Sequence, residues 1–173
     1  MKTQLIDKFK KIKLLLLDVD GILTDGKIIL GDRDELKFFD VQDGLGIVLL
    51  HRVGINSIII TAKKSRAVKR RAKEMEIKEV YQNSRNKLKI YHKILQKYNF
   101  LPQEIAFMGD EIIDLPVLEK VGLSLSVPNA VEEVKKKVDH ITQKGGGKGA
   151  VREVCDLILK LQGKWEEAIN NLC

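Results

Sequence analysis

The sequence predicts an α/β fold, a mostly parallel, Rossmann-like sheet lying between two layers of helix. Three observations carry that prediction. Residues 14–17, 58–60 and 105–108 are short, wholly apolar runs, the pattern of strands covered on both faces. Stretches with helical spacing separate them, so strand and helix alternate along the chain. Each run also leads into a polar residue, Asp18, Thr61 or the pair Gly109-Asp110. In an open parallel sheet such carboxyl-terminal ends share one edge, where α/β proteins place their ligands.

Taken in order, residues 3–12 form an amphipathic lead-in to the first strand at 13–17. Segment 27–40 places apolar stretches on either side of Gly31-Asp32-Arg33-Asp34, the pattern of a β-hairpin. A helix is expected from Asp43, with Leu45, Val48, Leu49 and Val53 inward and Gly54 as its stop. The second strand ends at Thr61, Ser65 caps a helix to about residue 75, and residues 79–81 form a third strand. Asn86 caps a helix over 87–98, and Pro102 precedes the fourth strand, which ends at Asp110. A helix near 113–121 ends at Gly122, residues 123–127 form a fifth strand, and Pro128-Asn129 opens a short helix. The glycine-rich stretch 144–149 reads as an adaptable loop near a site mouth, and 150–162 as the last helix. A mobile tail is expected over 163–173. The whole, 1–173, is expected to be a single domain.

Composition excludes several function classes. The chain of 173 residues is 44% hydrophobic and 32% charged, without an apolar run long enough to cross a membrane. No secretory leader is evident, so a cytoplasmic location is expected. The formal charge is +7, but the basic residues are spread over 63–73, 87–97 and 135–137. Five Phe, three Tyr and one Trp give no interleaving of the kind that stacks bases, which argues against nucleic acid. The excess reads as helix solvation plus attraction for a small anionic substrate. Cys155 and Cys173 have neither zinc nor disulfide spacing. His51, His92 and His140 are scattered and are assigned no ligand role.

The polar strand ends are of one chemical kind. Asp18, Asp20, Asp110 and Asp114 bring carboxylates to the sheet edge, Thr61 a hydroxyl, and Lys87, at the start of a helix, an ammonium. That mixture suits phosphoryl transfer, because a cation among the acids offsets the repulsion between a carboxylate and a phosphate dianion. Each residue also has an ordinary reading: Asp18 and Asp20 as strand-to-loop turn residues, Thr61 as a strand end, Lys87 as a solvated first-turn residue, Asp114 as a helix cap.

Asp18-Val19-Asp20-Gly21, Thr61, Lys87 and the run Gly109 to Asp114 resemble the four motifs of the haloacid dehalogenase superfamily. The resemblance implies that Asp18 is the nucleophile and forms an aspartyl-phosphate, and that Asp20 is the acid and then the base. It also implies Mg²⁺ held by Asp18, the Asp20 carbonyl and Asp110, with Asp114 in support. The gap after the first motif holds only the hairpin, and Thr61 to Lys87 leaves room for one helix and one strand, so no cap domain is expected.

Residues 39–47, 109–117 and 146–158 further resemble the family of 3-deoxy-D-manno-octulosonate 8-phosphate phosphatases, enzymes of lipopolysaccharide precursor synthesis. That resemblance implies a homotetramer with the hairpins at its centre and a tail able to reach a neighbour's site. It also implies substrate contacts from Asp20, Asp40, Val41, Gln42, Asp43, Gly44, Lys63, Arg71 and Lys87. Lys63 and Gln42 stand where arginines are usual, and a lysine cannot grip a carboxylate bidentately. The alternatives are a phosphatase for another sugar acid of the nine-carbon sialic type, a non-catalytic oligomerisation module, and a receiver domain.

Overall fold

The four leucines of β1 (Leu14–Leu17) are buried on both faces and form the middle of the molecule. In the computed structural model, which describes residues 3–31 and 35–172, the strands that follow are β2 (Ile29–Leu30), β3 (Glu35–Leu36), β4 (Asn56–Ile60), β5 (Glu79–Tyr81), β6 (Ile105–Met108), β7 (Leu123–Ser126) and β8 (His140–Ile141). Six of them make one sheet in the order β5-β4-β1-β6-β7-β8, and every pairing in it is parallel. Leu17 lies opposite Ile59 on one side and Met108 on the other, so the three central strands end level with one another.

The helices are α1 (Thr3–Lys10), α2 (Val41–Arg52), α3 (Arg66–Glu74), α4 (Lys87–Tyr98), α5 (Leu115–Leu118), α6 (Glu132–Lys135), α7 (Ala150–Leu161) and α8 (Trp165–Asn170). Helices α1, α2, α7 and α8 pack together as one layer, while α4 packs with α5 as part of the other. The architecture is the three-layer α/β fold that the alternation predicts, with a small hairpin and no cap. β2 and β3 pair antiparallel, Ile29 opposite Leu36; the expected turn residues Asp32, Arg33 and Asp34 lie outside the described residues.

Several expectations are corrected. α2 begins at Val41, not Asp43, because Asp40 caps it, its Oδ1 accepting from the Gln42 N–H at 2.6 Å and the Asp43 N–H at 3.3 Å. Its inward face carries Asp43, Gly44, Gly46, Ile47 and Leu50, with Leu49 also buried, whereas Leu45 is exposed and Val48 half-buried. The glycines explain the rotation. A Cβ on Gly46 would fall 2.9 Å from Arg152 Cδ, so the smallest residues, not the largest, mark the face pressed on α7. The helix expected near 113–121 is a 3₁₀ turn over Ile112–Asp114 followed by α5. β8, only two residues long, is too short to show a pattern in sequence.

The segment expected to be a mobile tail instead contains α8. Ala168 is buried there, and the Trp165 ring lies beneath Lys160 Nζ, 4.7 Å from its centroid. Cys173 lies outside the described residues, and Cys155 is packed in the core.

Candidate active site

The chain leaves β1 into a tight, closely bonded turn. The Val19 carbonyl accepts from the N–H groups of Ile22, Leu23 and Thr24 at 2.9–3.2 Å, and the Thr24 hydroxyl also donates to it at 3.4 Å. Gly21 sits at φ +94°, a conformation that L side chains rarely adopt, and a Cβ there would fall 1.9 Å from Asp110 Oδ2. The glycine after Asp20 therefore both makes the turn and lets the carboxylate that follows β6 approach the end of β1.

Asp18, Asp110 and Asp114 converge, with one oxygen of each within 4.8 Å of the others. Lys87, the first residue of α4, is buried among them. Its Nζ lies 2.8 Å from Asp18 Oδ1 and 2.5 Å from Asp114 Oδ1. Burial works to lower the Lys87 pKa, but the charges of Asp18 and Asp114 outweigh it and the ammonium is held above its usual range. Burial raises Asp18 to about 6 against the pull of Lys87. Burial, then the charges of Asp18 and Asp114, raise Asp110 to about 7.

The donor set fits a hard divalent cation. It is all oxygen, it carries more negative than positive charge, and Asp110 Oδ1 is buried without a hydrogen-bond partner among the described residues. Asp114 is differently engaged. Its Oδ2 accepts from the Asp110 and Glu111 N–H groups at 3.1 and 3.2 Å, while its Oδ1 is taken by Lys87. Asp114 thus orients Asp110 and Lys87 and leaves the open oxygens to Asp18 and Asp110.

Thr61 stands at the end of β4, beside the turn after β1. Its hydroxyl oxygen accepts from the Lys63 N–H at 3.3 Å, which leaves the hydroxyl hydrogen to donate. Asp20 meets two lysines. Lys63 Nζ lies 4.0 Å from its Oδ2, and Lys37, on the hairpin, pairs with its Oδ1. Lys37 was missed in the sequence because a lysine beside Leu36 and Phe38 reads as solvated. Alternation puts Lys37 on the face opposite Leu36 and Phe38, but which of the two faces turns towards the site is not set locally.

The remaining expected substrate contacts form a second group at the start of α2. Arg71 Nη2 donates to the Asp40 carbonyl at 3.1 Å, and Gly44 is bare enough to let that guanidinium lie against the helix. Val41 and Gln42 are exposed. Asp43 turns inward: its Oδ1 accepts from the Arg152 N–H at 2.8 Å, in the first turn of α7. Burial raises its carboxyl to about 6. The structure therefore makes Asp43 a cap for a neighbouring helix.

The glycine-rich loop is not adaptable but locked. Asn129 bridges it to the site, its Nδ2 donating to the Gly21 carbonyl at 3.1 Å and its Oδ1 accepting from the Gly146 N–H at 2.8 Å. The Gly147 N–H donates to the Ile22 carbonyl at 2.9 Å. A Cβ on Gly146 would fall 1.8 Å from the Gly21 carbonyl oxygen, so glycine here permits backbone-to-backbone contact under the turn after β1.

Carboxylates bridged by a buried lysine at the edge of such a sheet fit a haloacid dehalogenase-like hydrolase, and the chain belongs to that family, whose pattern residues 50–153 match. Within it, the chain is 44% identical over 169 residues to the 3-deoxy-D-manno-octulosonate 8-phosphate phosphatase of Salmonella typhi, covering 97% of this chain and 90% of that one. The crystal structure of the Yersinia pestis phosphatase of that name superposes with a TM-score of 0.94, at 41% identity over 96% of this chain and 90% of that one. The Moraxella catarrhalis phosphatase, solved with magnesium, phosphate and the sugar acid, superposes with a TM-score of 0.95 at 41% identity over the full length of both.

Proposed function

We propose that the chain is a magnesium-dependent phosphatase that hydrolyses 3-deoxy-D-manno-octulosonate 8-phosphate to the free sugar acid and phosphate, a step towards lipopolysaccharide. The observation that carries the reading is the buried Lys87 bridging Asp18 and Asp114 beside the unpartnered oxygen of Asp110. Near-full-length likeness to phosphatases of that name supports the substrate.

Asp18, Asp110 and the Asp20 carbonyl would hold the ion, which supplies charge neutralisation for the phosphate and the attacking carboxylate. Lys87, 2.8 Å from Asp18 Oδ1, and the ion would share that oxygen's charge, which leaves Oδ2 to attack phosphorus. The O–P bond to Asp18 forms as the sugar O–P bond breaks, and Asp20 gives its proton to the departing sugar oxygen. Asp20 then takes a proton from water as that water's oxygen bonds to phosphorus, and the Asp18–phosphorus bond breaks to release phosphate. Lys87 and the Thr61 hydroxyl stabilise the transferring oxygens.

Hydrophobic exposure supports a homo-oligomer, proposed to be a tetramer assembled through the hairpin. Leu30, Leu36, Phe38 and Val41 are all more than half exposed on or just after it. Among the described residues no helix is long and apolar enough to cross a membrane. A phosphate-release assay over a panel of sugar phosphates, with and without magnesium, tests the proposal. The eight-carbon sugar acid phosphate is expected to be the best substrate, with loss of turnover on chelation. Preference for a nine-carbon acid phosphate would reassign the substrate. Turnover of none would leave a non-catalytic module.

A further inference from the structure

We propose that Lys37 of the hairpin is a positioning residue that fixes the Asp20 carboxyl so that Oδ2, and not Oδ1, is the oxygen that carries the proton. The inference rests on the assignment of Asp20 as the acid and base.

The geometry is that of a latch. The Lys37 side chain is 2% exposed, whereas that of Asp20 is 24% exposed, so the hairpin buries the cation and leaves the carboxyl open on its other side. A buried ammonium is stable only when paired, and Lys37 lies on Asp20 Oδ1 and 3.4 Å from Glu35 Oε2. Glu35 and Lys37 flank Leu36 and so leave the strand on the same face. The hairpin thus presents a preassembled ion pair to the turn after β1. Lys63 approaches the other oxygen, Oδ2, at 4.0 Å from a half-exposed position, which leaves Oδ2 accessible. A lysine has donors only. In either protonation state Oδ1 therefore accepts from Lys37, and the hydrogen is confined to Oδ2, on the open side.

This also gives the hairpin a use within its own subunit. Its apolar side chains, Leu36 and Phe38, point outward while the intervening lysine points into the site. A contact that orders the hairpin from outside would thereby set the angle of the acid inside.

Leaving-group dependence tests the inference. A sugar alkoxide needs a proton to leave, whereas p-nitrophenolate does not, so an orientation defect in the acid lowers kcat/KM, which reports the steps up to leaving-group departure, only with the alkyl phosphate; the later attack of water, common to both substrates, lowers kcat alone. In the full-length protein with magnesium, Lys37→Met is expected to lower kcat/KM for the sugar phosphate by about 10²-fold, the scale of a misplacement of about 1 Å. For p-nitrophenyl phosphate the loss is expected to stay under about 3-fold, which also shows that the variant is folded. Lys37→Arg, which keeps a cationic donor beside Asp20, is expected to retain more of the alkyl activity than Lys37→Met does. Asp20→Asn should show the same selectivity, and Asp20→Asn with Lys37→Met should be no worse than Asp20→Asn alone. Equal losses on both substrates, or no loss, would overturn the role of Lys37. Full sugar-phosphate turnover by Asp20→Asn would instead overturn the assignment of Asp20 on which it rests.

Discussion

The floor of the site and its rim are built on different principles. The floor is Asp18, Lys87 and Asp114 with Asp110 beside them, attached to the ends of β1 and β6 and the start of α4, and nearly closed to solvent. Its members hold one another by charge at 2.5–2.8 Å, and two glycines let backbone and carboxylate approach where any Cβ would collide. The rim is Lys63, Gln42, Val41 and the hairpin, side chains that reach into solvent from loops and helix starts. A floor of this kind can do its chemistry on many phosphate esters. A rim of this kind can be changed without disturbing the floor, and under the proposed function it is where the substrate would be chosen.

The sharpest way to break the floor is Asp18→Asn. Loss of the proposed nucleophile is expected to lower phosphate release by on the order of 10⁴-fold or more. Stability should hardly move. Burial already raises this carboxyl to about 6, so its charge is unfavourably placed without a metal, and Lys87 keeps Asp114 as a partner. A melting temperature within about 4 °C of the parent checks that half of the prediction. Undiminished turnover would remove Asp18 from the mechanism.

Next in size is Gly146→Ala, which tests whether the locked loop belongs to the floor. The new Cβ would fall 1.8 Å from the Gly21 carbonyl oxygen and 2.8 Å from that of Thr24, and backbone atoms must move to admit it. A displacement of about 1 Å in the turn that carries Asp20 is expected to lower kcat by about 10²-fold. Gly54→Ala is the control. It sits at φ +79° with nothing within 4 Å of the added Cβ, so it should cost about 1–2 kcal/mol of stability and leave kcat alone. Equal kcat in the two variants would make the loop a bystander.

The same contrast explains what the sequence could disclose. β1, β4 and β6 were legible because unbroken apolar runs admit few readings, and the residues that end them fall on one edge by topology alone. Asp18, Thr61, Lys87, Asp110 and Asp114 could therefore be grouped before any coordinates. Lys37 could not, since its burial depends on how a short hairpin folds back over the turn, and no local pattern specifies that. Asp43 reads in sequence as the start of a helix that in fact begins two residues earlier, and nothing local marks it as the cap of α7, more than a hundred residues away in sequence. Gly146 showed flexibility in sequence and rigidity in space, because a glycine is used alike for free loops and for close backbone contact.

A gentler change sharpens the rim. Lys63, its side chain 41% exposed, lies 4.0 Å from Asp20 Oδ2. Lys63→Arg supplies a bidentate fork for a carboxylate without altering the charge. It is expected to lower KM for the eight-carbon sugar acid phosphate by about 3- to 10-fold, with kcat within about 2-fold, worth roughly 1 kcal/mol. Unchanged KM would place the substrate carboxylate elsewhere on the rim.

Asp43 decides where floor support ends and rim begins. Its folded carboxyl is raised to about 6 by burial from an ordinary 3.8, so the folded state holds its proton more tightly than the unfolded chain. The stabilisation from that proton is present below about pH 4 and is lost as the pH rises through about 6; above that, the ionised buried group carries a constant cost. Asn keeps the oxygen that accepts from the Arg152 N–H and never ionises. Asp43→Asn should therefore gain stability relative to the parent between pH 5 and pH 7, by about 1 kcal/mol, read from paired thermal melts. Asp43→Ala loses the acceptor and should cost about 1–2 kcal/mol at pH 5 as well. A difference between Asn and parent that ignores pH would mean that the carboxyl faces water and substrate, and would return Asp43 to the rim.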